Sequence, residues 1–250
     1  MVATNIDPVL LHLGPLEIRW YGVIFAVMFV IGIYIAVNLA KSRNIKKDDI
    51  LDFIPYLILS SLIMARLFHV FVYNLDFYMQ NPSLIIAIWK GGISIHGAVF
   101  GGILAALVYC RKRKLHFYDI ADIFVVPLAL GVAFGRFGNL INQELYGKPT
   151  NLPWGITFSS ISGKRHPSQI YEAITHFITF AILLNLYKLK SLPKGFVFWS
   201  FIIAYSFFRF ITEFFRESQI TLFNLTTPQL LSIPLFIVGV VFLLKLKKVN

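Results

Sequence analysis

Long apolar runs alternate with short polar or basic stretches along this chain. Seven runs are poor in Asp, Glu, Lys and Arg, and they cover residues 20–40, 51–72, 91–110, 120–136, 168–187, 195–215 and 229–244. A helix needs ~20 predominantly apolar residues to cross a hydrocarbon layer about 30 Å thick. Several of the charge-free cores fall short of that, so those helices are completed by polar ends, or are tilted or broken. The pattern predicts an all-α polytopic membrane protein of seven transmembrane helices in a single membrane domain. The first span opens on Trp20-Tyr21, a pair suited to a membrane interface. The longest connection, 137–167, lies between the fourth and fifth spans. Its Pro149, Pro153, Trp154-Gly155 and the alternation Ile156-Thr157-Phe158 predict a small folded cap with a short hairpin. Neither an internal repeat nor a low-complexity segment is visible.

Composition narrows the class and charge orients it. Hydrophobic residues make up 57% of the 250, Phe alone accounts for 25, and mean hydropathy is +0.72. A soluble domain of this size has no use for so much apolar surface. The formal net charge of +11 is distributed by loop, which argues against a nucleic-acid footprint. One set of loops carries fourteen of the 23 Lys and Arg: Lys41, Arg43, Lys46 and Lys47; 111–114; Lys188, Lys190 and Lys194; and Lys245, Lys247 and Lys248. The opposite set carries six, Arg19, Lys90, Lys148, Lys164, Arg165 and Arg216. Arg66, Arg136 and Arg209 fall within spans. The excess of basic residues marks the cytoplasmic side. The C-terminus is then expected in the cytoplasm, and the N-terminus and the 137–167 cap outside it. Residues 1–15 lack a basic n-region and a small-residue cleavage site, so the first span is expected to act as the insertion signal. Cys110 is the single cysteine, which leaves no internal disulfide and no Cys-rich metal site.

Charges retained inside spans are where chemistry is to be sought. An arginine at a helix centre costs about 2.5–3.5 kcal/mol on insertion scales. Arg136 and Asn139 are three apart and share a helical face, which Asn142 extends and Glu144 follows, with Gly135, Gly138 and Gly147 interspersed. An arginine fork with carboxamide donors suits a set of phosphate oxygens. A purely structural alternative is an Arg–Glu pair pinning a helix end to a loop. Arg209, Glu213 and Arg216 also fall on one face, and there the structural alternative is an intrahelical salt bridge. His96 stands in a glycine-crowded span, either as a proton acceptor or as a neutral ring bonded to a carbonyl. Ser168 and Glu172, at the start of the fifth span, read as a helix cap with a favourable dipole charge. Arg66 and His69 face together as a helix anchor or as support for a site. Asp119 and Asp122 fit poorly as an aspartyl protease pair, and the scattered histidines do not form a zinc site.

Together these segments resemble the bacterial prolipoprotein diacylglyceryl transferases. The resemblance rests on Gly135-Arg136-x-Gly138-Asn139-x-x-Asn142-x-Glu144-x-x-Gly147, and on Trp20-Tyr21-Gly22, His96-Gly97, His166-Pro167-Ser168-Gln169-x-Tyr171-Glu172 and Arg209-Phe210-x-x-Glu213-Phe214-Phe215-Arg216, in the same order. Leu140 stands where the family often has Phe, and Ala98 where Gly is common; neither removes a functional group. The resemblance implies an enzyme of the bacterial inner membrane and the first step of lipoprotein maturation. In that step the sn-1,2-diacylglyceryl group of phosphatidylglycerol moves to the lipobox cysteine of a prolipoprotein signal peptide, and glycerol phosphate leaves. It implies no metal, organic cofactor or nucleic-acid partner. Arg136 and Arg209 become the candidates for stabilising charge on the phosphate, with Asn139 an added donor. His96 is the obvious base, with Tyr21, Glu144 and a substrate phosphate oxygen as rivals. Asn142, Glu144, Gly147, Glu213 and Arg216 become binding and orienting residues. The rival reading is a carrier that uses the same arginine cavity for an anionic lipid or solute.

Overall fold

The computed structural model describes residues 6–14, 16–189 and 191–246. Residues 1–5 and 15 of the stretch read for a leader lie outside these, as do Lys190, Lys247 and Lys248 of the basic loops. In chain order the elements begin with the hairpin β1 (Val9–Leu13) and β2 (Leu16–Arg19), which runs directly into α1 (Trp20–Ser42). Then come α2 (Lys47–Phe68), the short α3 (Leu75–Gln80), α4 (Ile95–Arg113) and α5 (Phe117–Ile141). The hairpin β3 (Ile156–Phe158) and β4 (Ile161–Arg165) precedes α6 (Ser168–Lys188) and α7 (Phe196–Thr212). A last hairpin, β5 (Ile220–Leu222) and β6 (Leu225–Thr226), leads into α8 (Thr227–Leu246). Among the described residues seven helices are long and apolar enough to cross a membrane: α1, α2 with its π-helical extension His69–Tyr73, α4, α5, α6, α7 with its 3-10 extension Glu213–Phe215, and α8. The all-α polytopic reading holds, and among the described residues the strands form three two-stranded hairpins.

Helix ends differ from the hydropathy runs for local reasons. Gly91 and Gly92 adopt φ of +84° and +78°, so the third span starts only at Ile95, where the Ser94 hydroxyl accepts from the Gly97 N–H at 3.3 Å. The fourth helix continues past Arg136 to Ile141 and takes Gly135 and Gly138 in its stride. The cap therefore begins later than the hydropathy suggests.

The chain forms two compact units. In the unit of residues 40–121, α2 and α4 pack closely over glycines. A Cβ on Gly97 would collide with Met64 and Ala65 backbone atoms and the Phe68 side chain, and one on Gly101 with Ser60 backbone. Arg66 anchors the connection that follows. Its guanidinium donates to the carbonyls of Leu84, Ile85, Gly91 and Gly92 at 2.5–2.7 Å. The unit of residues 1–39 and 122–250 holds α5 to α8 and most of α1. Trp199 stacks on Phe242 at 4.6 Å to bind α7 to α8. Asp122, fully buried in α5, accepts from the Gly195 and Phe198 N–H groups at 2.8 Å each and caps α7 from another helix.

Candidate active site

The site is assembled in the second of these units, at the end of α5, the start of α6 and the end of α7. Chain alternation puts these three helix ends at one membrane face. At the centre is Glu172, one turn into α6 and only 2% exposed. Its Oε1 accepts from Arg209 Nη1 and Arg216 Nη1, each at 3.1 Å, and its Oε2 lies 2.7 Å from Arg136 Nη2. Three guanidiniums, one from α5 and two from the end of α7, therefore share one carboxylate. Arg209 also pairs with Glu213 at 2.9 Å, one turn on. Glu213 is itself 1% exposed and accepts from the Thr226 hydroxyl at 3.1 Å. Burial draws the Arg216 guanidinium below its ordinary pKa while Glu172 pulls it back, and it remains a cation at any physiological pH.

A second arm runs from Arg136 along α5. Arg136 Nη1 donates to Asn139 Oδ1 at 3.2 Å, and Asn139 Nδ2 donates to Glu144 Oε1 at 2.7 Å. Asn142 Nδ2 reaches the same oxygen at 3.3 Å. Glu144 thus acts on Arg136 through a carboxamide and does not touch the arginine. Tyr21, on α1, interacts with Asn139, Glu144 and Arg136. A Cβ on Gly138 would lie 2.5 Å from the Tyr21 ring, so the glycine is what lets that ring lie across α5. Gly147 is sandwiched between backbones; a Cβ there would come within 2.5 Å of the Phe215 carbonyl and 2.6 Å of the His166 carbonyl. Its N–H donates to His166, and it bridges Arg216.

The expected cap at Ser168 is not formed. Pro167 is the N-cap of α6 and makes no side-chain cap bond. The Ser168 hydroxyl instead donates to the Leu145 carbonyl at 2.7 Å, and Gln169 Nε2 donates to the Glu144 carbonyl at 2.7 Å. The first turn of α6 is used to clamp the loop bearing Glu144 and Gly147, and Glu172 is released for the arginines. A capping spacing hid this residue from sequence reasoning. A carboxylate inside a span needs a cation, and that is the signal that could have found it. His96 belongs to the other unit, where it is exposed on the first turn of α4 with Nδ1 2.9 Å from the Tyr73 hydroxyl.

The arrangement is that of an anion site. Three forked donors converge in a partly buried place where electrostatic interactions are strengthened, with two carboxylates in direct contact to hold them apart. A profile of the prolipoprotein diacylglyceryl transferase family matches residues 8–245 of the chain. The chain belongs to that family. Among similar proteins, a phosphatidylglycerol–prolipoprotein diacylglyceryl transferase from Geobacter sulfurreducens is 40% identical over 242 residues, covering 94% of this chain and 93% of that one. Its counterpart from Finegoldia magna is 36% identical, covering 97% and 96%. That from Photobacterium profundum is 38% identical, covering 96% and 93%. In this member of a diacylglyceryl transferase family, the cation cluster stands where three span ends meet.

Proposed function

We propose that this chain transfers the sn-1,2-diacylglyceryl group of phosphatidylglycerol to the lipobox cysteine thiol of a prolipoprotein, forming a thioether and releasing glycerol phosphate. The observation that carries the reading is the convergence of Arg136, Arg209 and Arg216 on Glu172. The thiolate sulfur attacks the glycerol carbon that bears the phosphate ester. A C–S bond forms, the C–O bond breaks, and its electron pair goes to the phosphate oxygen. Charge moves from sulfur to phosphate, so the leaving group gains a negative charge that the diester did not have. Arg136 and Arg209 stabilise that charge, with Asn139 adding a donor to the set. Removing one such donor typically costs about 100- to 1000-fold in rate. Glu213 and Arg216 hold the arginine geometry, Asn142 and Glu144 hold Asn139, and Gly147 shapes the loop.

The thiol, with an ordinary pKa of about 8.5, must lose its proton to become an effective nucleophile. His96, Tyr21 and Glu144 are the candidate bases in this chain, beside an oxygen of the lipid phosphate. The Tyr73 hydroxyl fixes the His96 ring. The lipobox cysteine comes in on a membrane-held signal peptide, so both substrates reach the site within the bilayer. The reading places the protein in the bacterial inner membrane with its N-terminus and cap outside and its C-terminus in the cytoplasm.

Purified protein in detergent, given phosphatidylglycerol and a lipobox peptide, tests the proposal. The expected result is a diacylglyceryl mass gain on the peptide with equimolar glycerol phosphate. Arg136→Ala and Arg209→Ala should each lower the rate at least 100-fold, and His96→Gln, Tyr21→Phe and Glu144→Gln rank the bases. A folded wild type that yields no mass gain would overturn the reading, and anion uptake by reconstituted vesicles would then point to a carrier.

A further inference from the structure

The three arginines have more internal anion around them than a plain phosphate trap requires. Glu172 and Glu213 are both buried and both in ion-pair contact with the cluster. In direct contact there are thus three cations and two anions, an excess of one positive charge. Glu144 is exposed, screened by solvent, and joined to the cluster through Asn139 rather than by direct contact. Glu213 forms its ion pair with Arg209 and is fixed from behind by Thr226. Glu172 is different, since it sits on all three guanidiniums at once, where a phosphate would place its oxygens.

We propose that Glu172 is an internal anion that competes with the departing glycerol phosphate for the three arginines, so that the site holds a singly charged phosphodiester and releases a doubly charged monoester. The inference rests on the function proposed above. The lipid enters with one negative charge on its phosphate, which the single excess positive charge of the cluster matches. The leaving monoester has a second pKa of about 6 and carries two near neutral pH. Two anions that share one set of buried cations repel each other, and the repulsion grows as the second charge develops. Glu172 therefore acts mainly on the product. Before the lipid arrives it gathers Arg136 from α5 and Arg209 and Arg216 from the end of α7, which makes it a positioning residue as well.

The test uses full-length protein in detergent and two probes, glycerol phosphate (the monoester) and glycerophosphoglycerol (the diester). Binding of each is measured by titration calorimetry to wild type and to Glu172→Gln. The expected result is that the variant binds the monoester at least tenfold more tightly at pH 7.5, with a smaller gain for the diester. In turnover it should form about one thioether per enzyme and then slow, and added glycerol phosphate should inhibit it more strongly than wild type. A purely structural role for Glu172 predicts weaker binding of both probes. Unchanged or weaker monoester binding, in a variant with wild-type helical content and elution volume, overturns the proposal. Glu172→Asp withdraws the carboxylate by one methylene and serves if the glutamine variant does not fold. Its monoester affinity should rise, and no rise counts against the proposal equally. Monoester binding requires no transfer, so wild type that binds the probes but never modifies the peptide would overturn the function and leave only the competition of Glu172 with a bound monoester.

Discussion

At the scale of single residues, the site depends as much on what is missing as on what is present. Gly138 lies inside α5, where Ala would be favoured by about 1 kcal/mol. A Cβ there would stand 2.5 Å from Cδ2 and 3.2 Å from Cε2 of Tyr21, so the ring must move. Gly138→Ala should therefore leave thermal stability nearly unchanged and lower transfer at least tenfold. Gly131→Ala, in the same helix with nothing within 4 Å of the new Cβ, should keep wild-type activity. Melting temperature and peptide mass gain on both variants check this; equal activity would mean that Tyr21 need not lie against Asn139. The arms of the site were legible where spacing sufficed. Arg136 with Asn139 at i+3 and Arg209 with Glu213 at i+4 are both contacts in the structure. Glu172 was misread because its partners come from other helices, and no spacing within α6 reports that.

At the scale of elements, apolar runs revealed all seven spans, but helix ends answer to local chemistry that hydropathy does not record. The positive φ of Gly91 and Gly92 delays α4, and α5 runs five residues beyond its charge at Arg136. The β3–β4 hairpin announced itself by alternation. The β5–β6 hairpin did not, because its strands are three and two residues long and its turn uses Phe223 and Asn224 at positive φ without glycine. Capping from a distance is equally invisible. Gly195 offers α7 no side chain, and Asp122 supplies the carboxylate from α5. Removing it strands two N–H groups in a buried place, each costing about 1–3 kcal/mol. Asp122→Ala should thus lower stability by about 2–6 kcal/mol, measured by unfolding in a detergent series. The loss should appear with little change in the Michaelis constant for the lipid, because the cap and the arginines lie at opposite ends of α7. A variant as stable as wild type would show that water or other groups replace the cap.

At the scale of the whole molecule, the proposed orientation follows from where the basic residues are placed. Fourteen Lys and Arg on one set of loops against six on the other is a bias that the insertion machinery reads directly. Part of the smaller set is also neutralised in place, since Arg165 lies 2.5 Å from Glu217 and Arg19 2.8 Å from Glu17. The arginine site belongs to the less basic face, which the proposed orientation puts outside the cytoplasm. One cysteine, 3% exposed, makes the orientation simple to test. In a Cys110→Ser background, Ser160→Cys and Ser191→Cys place exposed thiols just beyond the two ends of α6. A membrane-impermeant maleimide added to spheroplasts should label the Ser160→Cys protein at once. It should label the Ser191→Cys protein only after the membrane is permeabilised. The opposite pattern would put Glu172 and its arginines on the cytoplasmic face and remove the topological support for the proposed reaction. Labelling of both in sealed spheroplasts would mean that α6 does not span.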